Sequence, residues 1–171
     1  MNKQSKIFIS VLGIALFVGS QTTARSASIT NLTMDITGGT LTISAPASLD
    51  IGSWTSPSTA SISMGTVTVL DYRGVADSGW IVSAIATALT PTTGPAIAAN
   101  LMGYDPGTIA SIGTVTTVGH VVTLLDGVMP VITGSLGSGS ETVTWNPTLT
   151  VRIPAAVANG TYTATLTHSV L

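Results

Sequence analysis

The chain has 171 residues, no cysteine, 7% charged residues and a formal net charge of −2. Without cysteine it has neither disulfide bonds nor thiolate metal ligands. Its few cations are scattered along the chain, whereas binding to nucleic acid or to an anionic lipid surface requires clustered lysine and arginine. The composition therefore argues against both kinds of partner.

The N-terminal residues have the organisation of a secretory signal peptide. Two lysines precede an apolar run over residues 7–19, and small residues follow it. The run has the length of a signal-peptide core and is short for a membrane span. We predict a signal peptide over residues 1–24, cleaved after Ala24, and a secreted, extracellular protein. Cleavage after Ser26 or Ser28 and an uncleaved N-terminal anchor are the alternatives.

Residues 25–171 are predicted to form one all-β domain. Thr, Val and Ile alternate in short runs separated by Gly, Pro, Asn and Asp. This pattern is typical of an antiparallel β-sandwich of the Ig-like or Greek-key type, and no long segment has the periodicity of a helix. The predicted strands are NLTMDI, TLTISA, TASISMGTVTVLDYR, GWIVSAIATAL, GTVTTVGHVVTLL, ETVTW, TLTVRI and TYTATLTHSV.

For three of these strands, the sequence also predicts which side chains face the core. GWIVSAIATAL is apolar or small on both faces, which predicts a central strand covered on both sides. TLTVRI is expected to turn its Leu, Val and Ile inward and Arg152 outward. In the last strand the residues expected to share the inward face are Tyr162, Ala164, Leu166, His168 and Val170.

Residues suited to catalysis are scarce. The chain has two histidines and lacks the metalloprotease, phosphate-loop and nucleophile-elbow motifs. We therefore expect no enzymatic activity, no cofactor and no metal, which disfavours an extracellular hydrolase. Asp71 and Asp77 lack the alternating oxygen ligands of a dedicated calcium loop. His120 is expected to be partly buried or at a strand edge.

The stretch from Asp71 to Trp80 combines charged and aromatic side chains. Asp71 and Arg73 are expected to pair at the edge of a loop, an interaction worth about 0–1 kcal/mol when exposed. Trp80 opens a strand, where a tryptophan either anchors a core or lines a groove. Of the other two, Trp54 lies next to a turn and is the better candidate for exposure than Trp145.

Together these motifs resemble the WxL domain of Gram-positive cell-surface proteins. That family has a Val-x-Asp-x-Arg-Gly segment, then Gly-Trp-x-Leu, and a closing Tyr-x-x-x-Leu-Thr-Trp-x-Leu. The matching residues are Val69, Asp71, Arg73, Gly74, Gly79, Trp80, Val82 in place of Leu, Asn159, Gly160, Tyr162, Leu166 and Thr167. His168 stands where the family has its second tryptophan, and Val170 where it has leucine.

The resemblance implies non-covalent binding to cell-wall peptidoglycan or another surface glycan. The ligand-binding residues that it implies are Trp80, Val82, Asp71, Arg73, Tyr162 and His168. It also implies a larger membrane-anchored surface protein as a further partner, and wall affinity that is reduced or redirected by His168. The hypothesis from another class is a structural subunit that assembles with copies of itself or a partner through its edge strands.

Overall fold

The computed structural model describes residues 28–171, so the predicted signal peptide over residues 1–24 lies outside the described part. The chain divides into two compact units, and every strand in the described range belongs to the second, Ile36–Leu171. The remaining described residues, 28–35, have no regular secondary structure. The strand predicted for NLTMDI was wrong, because alternation along the chain does not by itself supply a neighbouring strand.

Residues 28–171 are almost entirely β-structure, which confirms the predicted all-β antiparallel class. No helix in this range is both long and apolar enough to cross a membrane. One short 3-10 helix covers Ala99–Leu101. The strands are β1 (Leu41–Ser44), β2 (Ser58–Ser63), β3 (Val67–Asp71), β4 (Ser78–Ala86), β5 (Thr90–Pro91), β6 (Met102–Asp105), β7 (Ile109–Ile112), β8 (Thr116–Gly119), β9 (Met129–Gly137), β10 (Glu141–Trp145), β11 (Thr148–Ile153), β12 (Tyr162–Thr163) and β13 (Leu166–Val170).

The strands pair antiparallel in four groups. Two sheets have four strands each, in the orders β1-β3-β10-β7 and β13-β4-β9-β8. A third sheet has the order β2-β11-β6, and β12 pairs with β5. Three segments of the chain connect the first and third sheets directly, since β2 and β3, β6 and β7, and β10 and β11 are separated by only two or three residues.

These three segments are long strands that bend at the same level. The bends contain Gly65, Pro106 and Pro147. Gly65 has a φ of 85°, which favours glycine, and proline cannot donate to a sheet ladder. The Met64 N–H donates to the Pro147 carbonyl at 2.8 Å, so two of the bends are hydrogen-bonded to each other. The single strand predicted for TASISMGTVTVLDYR is therefore two strands in different sheets.

Side chains from the inner faces of the sheets form one hydrophobic core. Trp80 on β4 packs flat against the backbone of its cross-strand partner Gly134, and a Cβ at that position would collide with the indole ring. A tryptophan can therefore be buried between the sheets without spreading them. β4 is central in its sheet as predicted, but only one of its faces is buried, because no layer of the described chain covers the other.

The last two strands differ in part from the prediction. On β11, Leu149 and Val151 point inward and Arg152 outward, as expected. TYTATLTHSV is not one strand, since β12 pairs with β5 and β13 with β4. The break falls where the Thr165 N–H donates to the Thr87 hydroxyl at 2.9 Å. Ala164 is exposed there, so its predicted inward orientation was wrong.

We expect Gly134→Ala to lower the free energy of unfolding by about 1–3 kcal/mol, because the added methyl group overlaps the Trp80 indole. Gly127→Ala is the matched control, since a Cβ there meets no atom within 4 Å and its φ is ordinary. It should change the same free energy by no more than about 0.5 kcal/mol. Urea denaturation measures both, and equal effects would contradict the packing described for Trp80.

Candidate functional site

Two of the predicted site residues belong to the core. Trp80 is 2% exposed and Val82 is fully buried. The Trp80 indole nitrogen has no hydrogen-bond partner among the described residues. Neither side chain reaches a surface that a ligand can contact, so in this fold both act through packing.

Asp71 and Arg73 form the predicted ion pair, but it is more enclosed than expected. Arg73 Nε donates to Asp71 Oδ1 at 2.9 Å, and Nη2 donates to Oδ2 at 2.7 Å. Asp71 is 1% exposed, so the carboxylate is buried and depends on this fork of donors. The hydrogen bonds from Arg73 hold the pKa of Asp71 below its ordinary value, and Asp71 in turn raises the pKa of Arg73.

A second buried carboxylate, Glu141, lies beside this pair and was missed by sequence reasoning. Glu141 is the cross-strand neighbour of Asp71 on β10, a position that only the strand register reveals. It accepts hydrogen bonds from the Ser138 hydroxyl at 2.7 Å and from the Gly139 N–H at 3.0 Å. The Gly139 carbonyl accepts from the Gly74 N–H at 2.9 Å. The two acidic residues therefore have a structural role, because they hold two neighbouring loops together.

His168 takes part in a chain of buried hydrogen bonds. Trp145 Nε1 donates to the Tyr104 hydroxyl at 2.8 Å, and that hydroxyl lies 3.2 Å from His168 Nε2. With the His168 proton on Nδ1, Nε2 accepts from the Tyr104 hydroxyl while the Tyr104 oxygen accepts from Trp145, so each group in the chain has a partner. Burial lowers the pKa of His168 and raises the pKa of Tyr104 to about 12, so both groups are neutral at neutral pH.

A cleft of about 1100 Å³ opens between the loop at residues 45–56 and the segment at residues 157–166. Buried apolar side chains form its floor: Met64, Leu89, Ile97, Met102, Leu149 and Val151. Exposed hydroxyl and amide groups form its rim, among them Ser53, Thr55, Asn159 and Thr161. Among the described residues that line the cleft, Asp50 is the only acidic one, and none is Lys or Arg.

Trp54 and Tyr162 are the aromatic side chains of this cleft. Trp54 is 46% exposed, as its position near a turn predicted, and its Nε1 donates to the Ile51 carbonyl at 2.7 Å. The Tyr162 hydroxyl donates to the Ala158 carbonyl at 2.9 Å. Each bond is local to one wall and fixes the orientation of its aromatic ring.

The predicted site residues thus separate into two groups. Tyr162 and His168 line the cleft together with Trp54, which the motif matching did not include. The other four, Asp71, Arg73, Trp80 and Val82, do not line it. Trp54 could have been found from its neighbouring turn, whereas the apolar floor depends on packing between distant segments.

The other polar residues singled out in the sequence form no further site in the described range. His120 is partly buried as predicted, with its Nε2 3.3 Å from the Thr133 hydroxyl. Asp77 is exposed, while Asp71 is engaged by Arg73. Residues 28–171 contain no group of three His, Asp or Glu side chains that could hold a metal ion.

The fold and the cleft define a cysteine-free, all-β protein with an amphipathic groove whose described lining carries one carboxylate and no Lys or Arg. Known protein families, curated proteins and solved structures give no match to this chain. The resemblance to the WxL domain therefore stays a hypothesis, and the chemistry of the cleft has to carry the functional argument.

We expect Arg73→Met to lower the free energy of unfolding by roughly 1–3 kcal/mol, because the buried Asp71 carboxylate loses its donors. Arg152→Met is the matched control, since Arg152 is exposed and donates only to the Asn100 carbonyl, at 3.0 Å. Its effect should stay within about 0.5 kcal/mol. Chemical denaturation of both variants tests this, and a silent Arg73→Met would contradict a structural role for the pair.

Stability should fall as the pH drops below about 6.5, the ordinary pKa of histidine. Because burial lowers the pKa of His168 in the folded state, the unfolded chain binds more protons over the interval between the two pKa values. His168→Gln, which can still accept from Tyr104, should flatten this dependence. His120→Gln should retain it. Thermal unfolding between pH 4 and pH 8 measures the slope, and a slope that survives in His168→Gln would rule out His168 as its source.

Proposed function

We propose that the protein is secreted to the cell surface and binds the neutral glycan strands of cell-wall peptidoglycan, or a related surface glycan, without catalysis. The observation that carries this proposal is the half-exposed Trp54 at a cleft whose rim presents hydroxyl and amide groups. Tyr162 on the opposite segment supplies a second aromatic ring.

The chemistry of the cleft supports a neutral sugar ligand. Aromatic rings stack on the apolar faces of pyranose rings, while Ser, Thr and Asn side chains exchange hydrogen bonds with hydroxyl and acetamido groups. The lining has one carboxylate, Asp50, and no Lys or Arg, so an anionic polymer finds no counter-charge there. The glycan strand suits this surface better than a phosphate-containing wall polymer.

This proposal keeps the closing motif of the WxL resemblance at the binding surface but moves that surface away from the first two motifs. Trp80 and Val82 support the core, and Asp71 with Arg73 supports a loop. His168, which replaces the second tryptophan of the motif, lines the cleft, but its ring is engaged by Tyr104. We therefore propose that Trp54 supplies the main aromatic contact with the wall.

We expect Trp54→Ala to weaken sedimentation with purified peptidoglycan by about tenfold, or about 1.4 kcal/mol, through loss of the stacking surface. Tyr72→Ala is the matched control, because Tyr72 is a similarly exposed aromatic residue outside the cleft. It should bind as the unchanged protein does. Equal binding by Trp54→Ala, with its fold intact by circular dichroism, would contradict the proposal, as would a failure of the unchanged protein to sediment.

Self-assembly is the second candidate, because two surfaces with exposed apolar side chains favour it. Leu32, Met34 and Ile36 alternate with polar residues in a segment without secondary structure and are 79–88% exposed. The second surface is the outer face of the second four-stranded sheet, where Ile81 lies beside Leu171. Thr133 on β9 is the cross-strand partner of both Ile81 and Val118, so it lies between these two apolar residues. Extended apolar segments and uncovered sheets are the elements through which β-proteins add strands from a partner.

If assembly occurs through that segment, Leu32→Ser combined with Met34→Ser should convert oligomers to monomers in size-exclusion chromatography with light scattering. Thr30→Ser combined with Thr33→Ser alters the same segment without removing apolar surface and should leave the oligomers unchanged. A protein that stays monomeric at all concentrations would contradict this second candidate.

A further inference from the structure

The floor of the cleft differs chemically from its rim. Below the rim, the cleft is lined by partly buried apolar side chains, which are Leu49, Ile51, Ile153, Val157 and Leu166. These pack on a nearly fully buried layer formed by Met64, Leu89, Ile97, Met102, Leu149 and Val151. Two of them are methionines, whose flexible side chains adapt to ligands of irregular shape. A sugar carries hydroxyl groups on most of its carbons and has no group that matches such a floor.

The space also exceeds what a single stacked sugar would fill. The open cleft has a volume of about 1100 Å³, slightly more than the roughly 300–1,000 Å³ of sites for drug-sized ligands. The polarity of the cleft changes with depth. Hydroxyl and amide groups lie beside Trp54 at the rim, and aliphatic side chains lie below them. A ligand that satisfies both has a polar head and an apolar tail.

The charge of the lining restricts the head group. Asp50 contributes a carboxylate, its Oδ1 accepting from the Gly52 N–H at 2.8 Å, and no Lys or Arg offsets it. A phosphate or carboxylate head group would meet repulsion without a partner. The charge of the lining thus disfavours an anionic head group, and the hydroxyl and amide groups of the rim suit an uncharged sugar.

We propose that the cleft binds a neutral glycolipid-like ligand, with its sugar against Trp54 and the rim and its alkyl chain along the apolar floor. This rests on the proposed function in so far as both place a sugar at the rim, but it adds a second subsite of different chemistry. Each methylene group that enters the floor should strengthen binding roughly fourfold.

Alkyl glucosides below their micelle concentrations test this directly on the full protein by isothermal titration calorimetry. We expect n-octyl-β-D-glucoside to bind and glucose to show no measurable heat of binding. Affinity should rise about 15-fold for each two methylenes from hexyl to octyl glucoside. Octyl sulfate, with the same chain and an anionic head, should bind more weakly than octyl glucoside.

Met102→Gln places an amide in the floor and should reduce octyl glucoside affinity at least tenfold. Met129→Gln is the matched control, because Met129 is a partly buried methionine that does not line the cleft. If Met102→Gln fails to fold, the chain-length series on the unchanged protein still decides. Affinities that do not depend on chain length would overturn the proposal. Glucoside binding that appears only after Leu32 and Met34 are both changed to Ser would overturn it too, because these side chains of a second copy would then be the occupants of the cleft.

The two experiments can show whether the alkyl-binding subsite or the proposed wall-binding function fails. Octyl glucoside binding without sedimentation on peptidoglycan would leave the subsite standing and remove the wall ligand. Sedimentation with no dependence on alkyl chain length would leave the wall ligand standing and remove the subsite.

Discussion

The hydroxyl of Tyr104 joins the parts of this fold that form the cleft. It accepts from Trp145 on β10 and is hydrogen-bonded to His168 on β13, while Tyr104 itself lies on β6, so one buried oxygen links strands of three different sheets. A buried polar chain of this kind is stabilising only when each member has a partner. Replacing any of the three residues by an apolar one leaves a group without its partner beneath the cleft, so the cleft wall that contains His168 depends on this interaction.

The segment from Asp71 to Trp80 and the candidate binding surface are separate parts of the molecule. Trp80 with Gly134 sets the spacing between packed strands, and the Asp71–Arg73 pair beside Glu141 closes neighbouring loops. The cleft is built instead by two irregular segments placed over a bent sheet. In many proteins a rigidly packed scaffold positions loops that carry the binding surface. Here the packed strands around Trp80 correspond to the scaffold, and the two cleft segments correspond to the loops.

Local patterns predicted the features that depend on local order. Alternation identified the all-β class and the orientation of β11, and the turn beside Trp54 predicted its exposure. The patterns failed where a distant partner decides the outcome. NLTMDI alternates but has no neighbouring strand, and the last strand breaks because its two halves pair with different strands. Sequence patterns also could not predict the position of Glu141 beside Asp71 or the apolar floor of the cleft, because the first depends on strand register and the second on tertiary packing.

The central claim is that a cell-wall ligand contacts Trp54 and leaves the two buried tryptophans untouched. The chain has three tryptophans, so a nitrogen-15 correlation spectrum of the protein shows three indole N–H signals. Titration with soluble peptidoglycan fragments should shift the Trp54 signal and leave those of Trp80 and Trp145 in place. A shift confined to Trp80, or a spectrum that does not change at saturating ligand, would contradict the account.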